Sequence, residues 1–359
     1  MIKRLLALAV GAAIAAPVST LASTELYGRI NLSVDHFDGK EAGVPAGIGY
    51  DGSSGSYELN SNKSYFGIRG GADFSSGLRG IYQLEFGVSA DEGVTGDDLI
   101  FTRNSFLGLQ SDFGTLKAGR FDTPLRALGA SVDQFRDMQY ADFANIVAGE
   151  WRASNIVQYS TPRIADMLTI AVATVASEED DVTGTGAPNN KMFDYLSVSA
   201  LLELGDFYVG LGYDKNNYGI QGGNGLYLSN AYSDNVNGLG ISSLDLGASN
   251  DIYRLVAGMD LDMVELGLLV QQAEDRNDSD NKNRSYLLSA AVDLGDMVKL
   301  KAQYGETDFR QTDIRARQAT IGADYRLGQQ TKTYIYTTRQ EVDGDRHFAV
   351  VGIGAEHRF

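Results

Sequence analysis

The chain has 359 residues, with 47 acidic against 30 basic side chains, a formal charge of −17 and no cysteine. That balance excludes nucleic-acid binding, which needs basic surface to neutralise phosphates, and the missing thiols exclude disulfides and thiolate metal sites. Gly (42) and Tyr (19) are abundant, Pro (5) is scarce and mean hydropathy is only −0.18.

The chain opens on Met1, Ile2, Lys3 and Arg4, runs apolar from Leu5 to Ala16, and passes Pro17 to reach Thr20-Leu21-Ala22. Charged, apolar and small residues in that order predict a secretory signal peptide over 1–22, because the apolar run is shorter than the ~20 residues a spanning helix needs. Residues 23–359 then form the mature domain, with 28 basic (30 less Lys3 and Arg4) against 47 acidic residues, a net of −19. No later apolar run is long enough to cross a bilayer as a helix.

The mature domain alternates with period two, the signature of strands. Leu26, Ile30, Leu32 and Val34 share one face, and Tyr27, Arg29, Asn31, Ser33 and Asp35 the other. Val264, Leu266, Leu268 and Val270 alternate with Glu265, Gly267 and Gln271, and Val298, Leu300, Ala302 and Tyr304 with Lys299, Lys301 and Gln303. Sixteen such segments are predicted, near 24–35, 63–71, 78–87, 102–110, 115–121, 154–162, 167–175, 193–203, 207–215, 251–260, 263–274, 284–293, 297–306, 315–326, 331–340 and 347–359. Short turns such as Leu204-Gly205-Asp206 and Leu294-Gly295-Asp296 alternate with long polar loops, notably 36–62, 121–153, 176–192 and 216–250.

Long-short alternation predicts an all-β fold, a transmembrane antiparallel β-barrel of about sixteen strands with short periplasmic turns and long extracellular loops. Hydrocarbon permits a sheet only when it is closed, since every backbone N–H and C=O needs an internal partner. Phe66, Ile68, Leu84, Val298, Leu300 and Ile353 are expected to face lipid, with Tyr82, Phe86, Tyr213, Tyr253, Tyr304 and Tyr325 in interfacial girdles.

On Leu26-Tyr27-Gly28-Arg29, Ser64 to Gly70, Arg103 to Leu109, Phe113 to Arg120 and His357-Arg358-Phe359, the chain resembles the general porins of Gram-negative outer membranes, especially the neisserial-type branch. The resemblance implies a homotrimeric, water-filled channel in the cell outer membrane for passive diffusion of small hydrophilic solutes and ions, with no enzymatic activity, cofactor or metal. It implies outer-membrane lipid, lipopolysaccharide and the outer-membrane assembly machinery as partners. Gly28, Gly108 and Gly119 are expected to allow close packing between subunits, and Phe359 is implied as the assembly signal.

In such porins the third loop folds inward, which here implies a constriction loop carrying Asp122, Asp133, Asp137, Asp142 and Glu150 with Arg126, Arg136 and Arg152. The facing wall is implied to carry Arg29, Arg69, Arg103 and Arg120, and alternation turns Arg79 inward as well. Tyr65 and Gln158 stand where relatives often place arginines. With five acids against three bases on the loop, a weak preference for cations is expected.

Alternative readings on the same barrel are a sugar- or organic-acid-specific porin, or an adhesin or receptor using the long loops. His36, His347 and His357 have no evident Ser/Asp partners, which argues against a hydrolase. Asp275 to Asp280 has oxygen ligands but lacks the Gly and distant Glu of an EF-hand loop, and reads as solvated.

Overall fold

In β1 (Ser23–Gly39) the alternation becomes an inside-out wall. Leu26, Ile30 and Val34 are exposed on the outer surface, whereas Asn31, Ser33 and Asp35 are buried toward the interior. A water-soluble core would bury the opposite set. The computed structural model describes residues 23–39, 55–74, 77–91, 100–176, 195–217, 250–276, 278–310, 313–342 and 346–359. The predicted signal peptide and most of the loops at 36–62, 176–192 and 216–250 lie outside the described residues.

After β1 come β2 (Ser56–Ser61), β3 (Tyr65–Asp73), β4 (Arg79–Val88), β5 (Ile100–Thr102), β6 (Ser105–Ser111) and β7 (Gly114–Asp122). A short helix, α1 (Pro124–Gly129), opens the long segment that leads to β8 (Arg152–Ser160). The remainder is β9 (Leu168–Val175), β10 (Leu196–Leu204), β11 (Phe207–Asn217), β12 (Asn250–Leu261), β13 (Val264–Asp275), β14 (Lys282–Leu294), β15 (Val298–Phe309), β16 (Ile314–Arg326), β17 (Thr331–Val342) and β18 (Arg346–Arg358).

These eighteen segments among the described residues make sixteen barrel strands. β2 and β3 pair successively with the two halves of β1, and β5 and β6 with the two halves of β4, so each pair is one interrupted strand. Every strand pairs antiparallel with its neighbour in sequence, and β18 returns to β1 over Arg29↔Arg358 to Gly39↔Phe348, closing the barrel. The predicted sixteen-strand alternation is therefore the observed topology. One boundary differs: residues 56–61, assigned to a loop from sequence, form β2, because Tyr57 and Leu59 turn outward on a strand too short and polar to stand out.

The outer wall carries Ile68, Leu84, Leu300 and Ile353 exposed as predicted. Tyr253 and Tyr286 lie near the long-loop end and Tyr325 near the short-turn end, the placement of two interfacial girdles, whereas Tyr304, expected in a girdle, stands mid-strand opposite Leu288 and Ala319. The glycines did not fall as expected. Gly108 and Gly119 face inward, opposite Lys117 and Phe106, and outward-facing Gly28 is covered by the Phe359 ring.

Candidate functional site

Thr123 to Trp151 turns into the barrel instead of standing above it. Thr123 caps α1, accepting from the Arg126 N–H at 3.3 Å, and Pro124 comes next at a position that needs no N–H donor. The helix lays Leu125 and Leu128 on β11, where only glycines leave room. A Cβ at Gly210 would stand 2.7 Å from Leu128 Cδ2, and one at Gly212 2.9 Å from Leu125 Cδ1.

Two apolar clusters then fasten the loop to the wall. Leu125, Leu128, Val132, Phe143 and Ile146 pack with Ile252, Val256, Leu269, Leu287 and Phe309 of β12 to β15. Phe135, Met138 and Tyr140 pack with Phe37, Tyr334, Tyr336 and Phe348 of β1, β17 and β18. At ~1.5–3 kcal/mol for each fully buried large apolar side chain, this burial offsets much of the entropy lost in ordering the loop.

Polar ties set the loop's height. Arg254, on β12, has no exposed side-chain surface; it donates to Glu150 Oε1 (2.6 Å), Leu125 O (3.1 Å), Ala148 O (2.8 Å) and Gln271 Oε1 (2.7 Å). Asp122 receives Arg152 at 2.9 Å, Arg126 at 3.3 Å and Arg136 at 3.5 Å. Asp142 caps the short 3-10 turn Phe143–Asn145 and pairs with Lys63 at 3.0 Å. Asp137 meets Arg29 at 2.8 Å, tying loop to wall.

The loop carboxyls are not equivalent. Burial pushes Asp133 well above the usual carboxylate range, and the neighbouring Asp142 adds to it. Burial acts on Asp137 too, but Lys63, Arg29, Arg103 and Arg136 outweigh it and hold the group far below that range. Glu150 is raised by burial despite Arg254 and Arg126.

Across from the loop, Arg29 and Arg103 flank the Tyr65 ring, their guanidinium carbons 5.2 and 4.9 Å from its centroid. Arg103 pairs with Glu85 at 2.8 Å, and Tyr27 donates to the same carboxylate at 3.0 Å. Tyr65 thus stacks between two arginines. Gln158 is nearly buried on the wall and donates to Ser160 at 2.9 Å.

Loop and wall enclose a cavity of about 400 Å³. Its charged lining is Arg29, Arg103, Arg136, Lys301, Lys332 and Arg358 against Glu85, Asp133, Asp137 and Glu356, six basic and four acidic. Asp324 stands behind the two lysines, 3.0 Å from Lys301 and 2.8 Å from Lys332. The sign differs from the sequence count because Asp122, Asp142 and Glu150 are spent on partners around the opening, while wall bases reach into it.

Three wall arginines are not brought to this cavity. Arg69 pairs with Glu25 (2.9 Å) and Arg79 with Asp73 (3.0 Å), both toward the short-turn end. Arg120 alternates with the inward Gly119 and Phe121, which sets it on the face of Leu116 and Ala118, and it donates to Ser154 at 2.6 Å beside a register shift between β7 and β8. Arg254, Lys63, Lys301, Lys332, Glu85, Glu356 and Arg358 were missed by sequence reasoning. Arg254 carried a usable signal, since it alternates with the outward Tyr253 and Leu255.

A closed β-barrel with an apolar exterior, a polar interior and a loop narrowing its lumen defines a membrane-spanning channel. The chain matches the model of the Gram-negative porin family over residues 5–345 and belongs to that family. It is similar to outer membrane porin protein 32 of Delftia acidovorans, 26% identical over 346 residues covering 93% of this chain and 88% of that one. It is similar, too, to the major outer membrane protein P.IB of Neisseria meningitidis, 26% identical over 377 residues covering 100% of both. The anion-selective porin from Comamonas acidovorans shares the fold with a TM-score of 0.72 at 20% identity, covering 94% of this chain and 100% of that one. The protein is an outer-membrane channel for the passive diffusion of solutes.

Proposed function

We propose that the channel is a general diffusion porin whose constriction, formed by the loop from Asp122 to Arg152 and the Arg29–Tyr65–Arg103 wall, passes small hydrophilic solutes with a mild preference for anions. The observation that carries this reading is the cavity lining of six basic against four acidic side chains. Opposed charges across a narrow opening orient polar solutes and oppose apolar ones, which must shed ordered water.

Screening acts over ~8 Å at physiological salt, so the lining governs selectivity more than the mature chain's charge does. Residues 1–22 act as the signal peptide, the mature barrel works as a homotrimer, and Phe359 is read by the assembly machinery; family membership and the seam geometry of Phe359 support these assignments. Planar-bilayer recordings under a KCl gradient test the reading. Large stable conductance steps with a modest anionic reversal potential at low salt support it, and a strongly cationic potential overturns the assigned lining.

A further inference from the structure

Lys117, on β7, alternates with the exposed Leu116 and so faces the lumen, where it lies between two aromatic rings, its Nζ 4.0 Å from the centroid of Phe121 and 5.1 Å from that of Phe106. Among the described residues it makes no ion pair and no hydrogen bond. Lys63, Lys301 and Lys332, by contrast, each meet a carboxylate within 3.0 Å. The acid whose charge reaches Lys117 is Asp122, and that carboxylate is already held by Arg126, Arg136 and Arg152.

The surroundings of this amine are apolar. Phe121 and Ile156 are buried in a cluster against which Phe106 and Trp151 pack. Phe106 also lines a cavity of about 410 Å³ with Arg69, Arg79, Ile81 and Gln83, below the constriction on the short-turn side. Both of those arginines are paired, with Glu25 and Asp73, which leaves Lys117 as the uncommitted cation beside the cavity among the described residues. Ring faces attract an ammonium but leave its three N–H donors without an oxygen acceptor. A carboxylate supplies that acceptor, and a flat apolar body attached to it gains further contact on the Phe106 ring, which a hydrated inorganic anion does not.

We propose that Lys117 and Phe106 form a solute subsite for aromatic monocarboxylates, with the carboxylate on the Lys117 ammonium and the ring against Phe106 in the cavity below the constriction. The subsite rests on the diffusion reading for the solute's path, and it names a class of solute that the charges of the opening do not single out.

Trp151 is the chain's single tryptophan and packs on the same cluster, so its fluorescence in the detergent-solubilised protein reports occupancy by para-nitrobenzoate, an absorbing quencher. Saturable quenching is expected. Benzoate should displace the probe about tenfold more effectively than acetate, which lacks the ring, or benzyl alcohol, which lacks the charge, as for the loss of one contact. Lys117→Met should bring benzoate down to the level of benzyl alcohol, Phe106→Leu should bring it toward acetate, and Lys117→Arg should retain most of the binding; heat-modifiable mobility verifies that each variant is folded. Quenching is read without current, so a cation-selective pore with intact quenching would overturn the diffusion reading alone, and lost quenching in an anion-preferring pore the subsite alone. Non-saturable quenching, acetate matching benzoate, or full benzoate binding by Lys117→Met would overturn the proposal.

Discussion

Gly28 and Phe359 close the barrel: the Gly28 N–H donates to the Phe359 carbonyl at 2.9 Å, the Phe359 N–H returns to the Gly28 carbonyl at 3.1 Å, and the Phe359 ring covers the bare Gly28 Cα on the lipid side. Deleting Phe359 removes both seam bonds from a place where lipid cannot replace them. The yield of heat-modifiable, folded protein should fall several-fold, while surviving channels keep their conductance. Normal yield would show that the seam closes without it.

Arg254 and Glu150 are buried together, with side-chain exposures of 0% and 5%. Arg254→Leu leaves a buried carboxylate without its closest partner and frees the Leu125 carbonyl, while Ala148 keeps only its bond from Gln271, a loss of about 3–5 kcal/mol for such a pair. The loop, not the barrel, should loosen. Open-channel current noise is expected to rise with strand content unchanged by circular dichroism.

Gly210 is the seat of α1 on the wall. Gly210→Val places a side chain where Leu128 lies 2.7 Å from the nearest possible Cβ, and overpacking of this kind costs about 1–3 kcal/mol. The least costly relief moves the helix toward the lumen, so unit conductance should drop. An unchanged conductance would mean that the wall yields instead.

Selectivity should track the lining residue by residue. Arg103→Gln leaves Glu85 without its ion-pair partner and moves the reversal potential toward cations; Asp137→Asn releases Arg29 and moves it toward anions. Both shifts should shrink as salt rises, because screening shortens the reach of each charge. Shifts of the same sign in both variants would contradict the assigned geometry.

Asp133 and Asp137 predict opposite pH effects on how firmly the loop is held. Asp133 is raised in the folded protein, so its contribution is full below the ordinary carboxylate range near ~4 and is lost as pH rises through its folded value. Asp137 is lowered, so its contribution is present above that range and is lost as pH falls toward its folded value. Current noise measured against pH should therefore lose its alkaline rise in Asp133→Asn and its acid rise in Asp137→Asn.

Period-two alternation was enough to place sixteen strands, their lipid faces and the long-loop end, because a closed sheet between lipid and water imposes a local rule on every residue: Ile353 turns outward and Asp35 inward whatever their neighbours do. Where resemblance supplied a residue against that rule, the structure differs, as at Arg120, which alternates with the inward Gly119 and Phe121 and so lies away from the cavity. The site itself was only half legible. Its loop could be located by resemblance, and Arg29, Arg103 and Asp137 were named, but which acids remain free to act on a solute depends on pairings between residues far apart in the chain, Lys63 with Asp142 and Arg254 with Glu150. A count of charges along a sequence weights each one equally; folding neutralises some and aims others, and the sign of the opening was decided there.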